Sequence, residues 1–198
     1  MASALPAQLR TERLLLRRWR AEDAPALAPV LVANVAHLGG WIPRWVSEPA
    51  ALPDLARRLA GFAGAFDADR EWRFAILSLD EEAVLGEASL FPRSDAGRVA
   101  LTAADRVEIG YWLRQDATGK GFATEVTLAL LATASALLML SRAEIRCDAR
   151  NERSAAVPRR LGFQLAATID EEADAAGPLP SRELVWTADL PYTAGAAG

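Results

Sequence analysis

Thr118-Gly119-Lys120-Gly121-Phe122-Ala123 follows a strand-like run from Glu108 to Leu113 and opens a long apolar stretch. A helix leaves its first N–H groups without internal partners, and its dipole gathers partial positive charge there. Gly119 and Gly121 let an anion come close to the backbone. The spacing therefore reads as a turn that holds phosphate. It is not the G-x-x-x-x-G-K-[ST] loop of nucleotide hydrolases, and Thr124 stands where the dinucleotide fingerprint needs its last glycine. A tight turn closed by small residues has the same spacing.

A second group lies further on, in Asn151-Glu152-Arg153-Ser154 and Arg159-Arg160-Leu161-Gly162-Phe163. Asn151 reads as a helix N-cap or as a polar contact to a ligand, and both roles can hold at once. Ser154 reads as a third helical position or as a hydroxyl near reacting atoms. Two carboxylates on strands, Glu108 and its rival Glu87, have the chemistry of a general base, or that of a strand residue paired with arginine. Cys147 reads as a buried strand thiol. His37, Trp41 and Trp45 sit among Gly39, Gly40, Pro43 and Pro49. They pack a loop on the core or line an acceptor pocket. Arg159 and Arg160 form a solvated helix face or flank a nucleotide. One His and one Cys cannot build a zinc cage, so no metal is expected.

The elements that must position these residues follow from periodicity. Leu9–Trp19 reads as a strand and Asp23 to about Ala36 as a helix, with a bend allowed at Pro29. Pro53–Phe66 reads as a second helix, and Trp72–Ser78 and Val84–Phe91 as a hairpin. Residues Pro92–Asp105 form a loop and Val107–Leu113 a strand. Phe122 to about Leu140 is a helix and Ala143–Asp148 a strand. Glu152–Leu161 is a short helix stopped by Gly162. Leu165–Ile169 and Glu183–Ala188 are the last strands. The fold class is α/β (α+β): one mixed, mostly antiparallel sheet of about seven strands flanked by four helices.

The chain has 198 residues, 52% of them hydrophobic and 24% charged, which suits one domain over 1–198 with its core at about 9–190 and a frayed tail at 192–198. The formal charge of −4 argues against a nucleic-acid partner. Every cation except Lys120 is arginine. The 15-residue apolar run Val126–Leu140 falls short of the roughly 18 to 20 that a membrane span needs, and the N-terminus has no secretory pattern. The expected compartment is the cytoplasm, with no membrane partner.

Three stretches in order resemble the GNAT acetyltransferase superfamily, most closely its RimJ/RimL-like branch. They are Leu9–Arg17, Glu108–Ala123 and Asn151–Phe163, and the match runs over roughly Leu9 to Ala188. The resemblance implies a sheet splayed between the strands at 107–113 and 143–148, and acetyl-CoA as co-substrate. It implies that the amides of Gly119, Lys120, Gly121, Phe122 and Ala123 hold the pyrophosphate, with Thr118 where the family often has Gln or Arg. Trp112 and Leu113 would pair through their backbone with the pantetheine arm. Asn151 would bond its side, and Ser154 would lie near the thioester sulfur. Glu108 would remove a proton through water. Pro158, inside the short helix, interrupts its bonding to Ser154. The activity implied is N-acetyl transfer to a primary amine by direct attack in a ternary complex. The acceptor is a protein N-terminal α-amine or a small molecule, and the assembly a monomer or homodimer. The alternative is a non-catalytic acyl-CoA-binding or sensing domain on the same fold. The acceptor site would be built from Trp41–Val46, the 92–105 loop and the acidic Asp170–Ser181 loop.

Overall fold

The computed structural model describes residues 4–171 and 181–193. Its elements are β1 (Gln8–Arg10), β2 (Leu14–Arg18), α1 (Ala24–Ala33), α2 (Val35–Leu38), α3 (Arg44–Ser47), α4 (Leu52–Asp67), β3 (Trp72–Ser78), β4 (Val84–Ser94), β5 (Gly97–Arg98), β6 (Arg106–Leu113), α5 (Phe122–Leu137), β7 (Arg142–Asp148), α6 (Glu152–Arg160), β8 (Gln164–Glu171) and β9 (Ser181–Asp189). The strands make one sheet in the order β1-β2-β3-β4-β6-β7-β9-β8, with β5 paired to the end of β4. Among these pairs only β6 and β7 run parallel; the rest are antiparallel.

Side chains alternate across the sheet with the period of two that a strand imposes. Leu14, Leu16, Phe74, Ile76, Val107, Ile109 and Ile145 go to one core, shared with α5 and α6. Leu15, Ala75, Leu77 and Trp112 go to the other, beneath α1 and α4. Helix α5 buries Val126, Leu130, Leu131 and Ala134, one stripe at helical spacing. No described helix is long and apolar enough to cross a membrane.

The mixed sheet expected from the sequence is present, with nine strands and six α-helices where about seven and four were counted. Three segments account for most of the difference. The stretch read as one strand from Leu9 to Trp19 is a hairpin, in which Gln8 faces Arg17. Thr11 turns it: its N–H donates to the Leu14 carbonyl at 2.9 Å and its Oγ1 accepts from the Leu14 N–H at 3.0 Å. The first helix breaks at Asn34 rather than bending at Pro29. Asn34 gives its side-chain amide to the Val30 carbonyl and accepts the Gln115 N–H, a competition with helical backbone that asparagine is suited to win. The loop expected at 92–105 is partly strand, because β4 runs on to Ser94 and folds back through β5, pairing Arg93 with Arg98.

Candidate active site

The parallel pairing of β6 with β7 covers only Arg106–Ile109 against Arg142–Ile145. Beyond it β6 stays on β4 as far as Leu113, and β7 stays on β9 as far as Asp148. The sheet therefore opens into a V at the C-terminal ends of both strands, and the chain leaves those ends toward α5 and α6. This is the splay expected from the sequence.

The edge of the V is set by register. Arg114 donates its N–H to Leu85, and Pro92, which has no N–H, stands opposite Val107. In an antiparallel ladder bonded and non-bonded pairs alternate. The even-numbered residues of β6 therefore spend their backbone on β4. Trp112 is one of them, and Tyr111 and Leu113 turn their backbone groups into the V. The Leu113 carbonyl already meets His37 Nε2 at 3.1 Å, which ties α2 to this strand.

At the mouth of the V the chain turns through Gly119 (φ 74°) and Gly121 (φ 81°), left-handed values that only glycine adopts without strain. Helix α5 starts there with no side-chain cap. Among the described residues, the amides of 119–124 donate no hydrogen bond, and the first to do so is Glu125, to the Gly121 carbonyl at 3.0 Å. Six successive exposed or half-exposed residues at a helix N-terminus therefore keep unpartnered N–H groups among the described residues, the arrangement that binds anions. The Thr118 hydroxyl donates to the Gln115 carbonyl at 2.7 Å and closes the turn.

Sequence reading missed the clamp on this turn. Arg13, on the β1–β2 hairpin, donates Nε to Glu125 at 2.7 Å and Nη1 to the Lys120 carbonyl at 2.9 Å, and lies over the Phe122 ring. Thr11 and the Arg13 N–H also bond Glu125. Burial works the other way, but these bonds hold the Glu125 carboxyl below the usual carboxylate range. The pairing spans more than a hundred residues, and no local pattern announces it. Arg160 adds a further cation by donating to Thr124 Oγ1 at 2.9 Å. Arg13→Ala is expected to raise KM for acetyl-CoA about tenfold, because it removes hydrogen bonds to a charged partner and to the turn. Steady-state kinetics with acetyl-CoA varied checks this.

Inside the V, Asn151 caps α6 by accepting the Ser154 N–H at 3.1 Å. Pro158 sits within α6 and offers no N–H to the carbonyl of Ser154 four residues before it. The Tyr111 hydroxyl donates to that carbonyl at 3.1 Å and lies 3.4 Å from Ser154 Oγ. The proline thus creates the acceptor that fixes the tyrosine. Burial pushes the Tyr111 phenol far above its usual value, so it stays protonated. Burial likewise pushes the Cys147 thiol up, which suits the inert strand thiol expected of it.

On the other side of β6 lies a cavity of about 90 Å³, lined by residues that include Trp45, Arg73, Glu87, Phe91, Arg98 and Trp112. Glu87 is buried and accepts from Trp19 Nε1 at 2.8 Å and from Arg73 Nη1 at 2.7 Å. Burial pushes its carboxyl above the usual range, against the pull of Arg73 and the Trp19 N–H. Arg73 stacks within 5 Å of the rings of Phe62, Trp45 and Phe91. Glu108 is also buried, but it does not line this cavity, and both its oxygens are taken, by Arg93 at 2.5 Å and Arg98 at 2.6 Å. Trp45 and Val46 reach the cavity, as does Arg98 from the 92–105 segment, while Trp41 does not. Of the acidic loop, residues 172–180 lie outside the described residues.

The sequence matches the acetyltransferase (GNAT) domain family over residues 13–164. The Bacillus subtilis (strain 168) protein "Putative ribosomal N-acetyltransferase YdaF" is 31% identical over 158 residues, 77% of this chain and 78% of that protein. The fold is similar to that of Mycobacterium smegmatis RimJ in complex with CoA-disulfide, at TM-score 0.80 and 24% identity over 98% of this chain and 94% of that one. It is similar too to the microcin C7 self-immunity acetyltransferase MccE in complex with acetyl-CoA and AMP, at TM-score 0.79 and 17% identity over 95% and 99%.

Proposed function

The chain belongs to the acetyltransferase (GNAT) family, and on that premise we propose that it moves the acetyl group of acetyl-CoA to a primary amine by direct attack in a ternary complex. The acceptor is a protein N-terminal α-amine or a small amine. The observation that carries this reading is the run of six unpartnered amides, 119–124, at the mouth of the V. A diphosphate supplies the anionic oxygens such a run lacks, and the open backbone edge at Tyr111 and Leu113 suits the amide-bearing pantetheine arm. Thr118 and Arg13 hold the turn in shape, and Asn151 orders α6 beside it. The whole of 1–198 acts as one domain in this reading. The cytoplasm remains its compartment, supported by a single, buried Cys147.

Acetyl-CoA supplies the acetyl group as a thioester. The chain supplies positioning and proton transfer. Glu87 lines the cavity beside β6, where a carboxylate can act as general base directly or through one water, and burial raises its carboxyl above the usual range. Glu108, the base expected from the sequence, does not line this cavity and in this reading anchors Arg93 and Arg98. Tyr111 keeps its proton and stands beside Ser154 in the V, where either hydroxyl can give a proton to a leaving thiolate. Tyr111→Phe is expected to lower kcat about 100-fold, with KM for acetyl-CoA within a few-fold of wild type. Single-turnover CoA release checks it.

The test of the function is thiol release from acetyl-CoA against a panel of N-terminal peptides, amino acids and polyamines. Amine-dependent release supports transfer. Binding of acetyl-CoA without release from any amine supports the sensing alternative.

A further inference from the structure

We propose that the acceptor carries an anionic carboxylate next to its amine, and that Arg98 selects for it. The inference rests on the transfer reading above and names its substrate class. The cavity beside β6 is about 90 Å³ and opens to solvent. Its charged lining residues are Arg73, Glu87 and Arg98. Arg73 is buried and committed to Glu87 and Glu71, and Glu87 to Arg73 and Trp19. Arg98 alone of the three faces solvent, with 46% of its side chain exposed. Its guanidinium carbon lies over the Phe91 ring, 3.5 Å from the centroid. Nη2 bonds Glu108, while Nε and Nη1 have no partner among the described residues.

A guanidinium fixed by a ring and a carboxylate, with donors left over, is shaped to donate to carboxylate oxygens. Trp112, also in the lining, adds a second observation: its buried indole N–H has no partner among the described residues. Such a group is uncommon in a folded protein, and an acceptor oxygen can satisfy it. The lining thus holds two guanidinium groups against one carboxylate, a net positive charge, beside one unpartnered indole N–H among the described residues. That combination favours an amine beside a carboxylate and disfavours a polyamine.

The test compares kcat/KM for matched acceptors at saturating acetyl-CoA. Glycine against glycinamide tests a free α-carboxylate. Asp-Ala-amide against Asn-Ala-amide tests an acidic N-terminal side chain, and spermidine tests the opposite charge. The anionic member of at least one pair is expected to be favoured by about tenfold or more. Arg98→Gln is expected to bring it down to its neutral counterpart, and Arg98→Lys to keep part of the preference. An unchanged melting temperature and a retained acetyl-CoA-dependent thermal shift show that each variant is folded. Equal rates within both pairs, a preference for spermidine, no release from either pair, or a preference that survives Arg98→Gln overturns the inference. The transfer reading fails separately, if acetyl-CoA gives no thermal shift or no amine in the wider panel releases CoA.

Discussion

Glu87→Gln lowers kcat by about 10² to 10⁴-fold, the range that a positioned general base supplies. The substitution keeps the volume of the side chain and an oxygen for the Trp19 N–H, so the cavity retains its shape. It removes the group that takes the amine proton. The pH dependence gives a second readout. Activity needs the ionised carboxylate, so it rises with pH through the carboxyl's pKa. Because burial sets that pKa above the usual carboxylate range, the acidic limb of kcat/KM lies at higher pH than an ordinary glutamate would give. The carboxyl's contribution to the limb disappears in the variant, and the ionisation of the acceptor amine remains. Glu108→Gln, by contrast, lowers kcat less than tenfold and acts on the KM of the acceptor, because Glu108 reaches the cavity only through Arg98. A full loss in Glu108→Gln with a mild effect in Glu87→Gln reverses the two roles. Melting temperatures accompany both, since the change leaves Arg73 with Glu71 as its full anionic partner.

Gly86→Ala distorts and destabilises the donor side of the site. A Cβ at residue 86 falls 2.0 Å from the Trp112 carbonyl oxygen and 2.9 Å from the Leu113 Cα, both backbone atoms of β6. Neither can rotate away, so β4 and β6 must separate just where Tyr111 and Leu113 present their edge. The position lies at an irregularity of β4, where Ile76 pairs with Gly86 and Leu77 with Val84, and the bulge turns residue 86 toward its neighbour. Overpacking of this kind costs about 3 kcal/mol. For a chain of this length that lowers Tm by roughly 6 to 12 °C. Acetyl-CoA binding is expected to weaken along with it. Gly61→Ala is the control: it lies in α4 with nothing within 4 Å of the added carbon, and it is expected to stabilise by about 0.5 to 1 kcal/mol. Thermal melts of the two variants with and without acetyl-CoA check both.

What could be read from the sequence divides by range. Trp72–Ser78 was legible to the residue because a run of large apolar side chains buried on both faces has few alternatives. The turn at 119–121 was legible because two glycines before an apolar helix carry their own backbone chemistry. The hairpin at Thr11 was not, since Leu9–Trp19 has the alternation of a continuous strand and its turn is made by one threonine hydroxyl. The break at Asn34 was not, because Asn34 is held by Gln115, 81 residues away. The site shows the same division. Asn151 and Ser154 could be placed from local spacing. The clamp of Arg13 on Glu125 and the anchoring of Tyr111 by the carbonyl that Pro158 leaves free both depend on contacts between distant elements. Glu108 was the base expected from the sequence, with Glu87 as its rival. Both side chains lie on the same face of the sheet, and only Glu87 lines the cavity.

In the proposed reading the backbone donors of 119–124 grip the diphosphate of the acetyl donor. An amide-resolved NMR titration with acetyl-CoA tests this. The N–H resonances of 119–124 are expected to move downfield together and saturate with one dissociation constant, with Tyr111 and Leu113 following at the same constant. Shifts that leave 119–124 in place and gather elsewhere in the chain would contradict it.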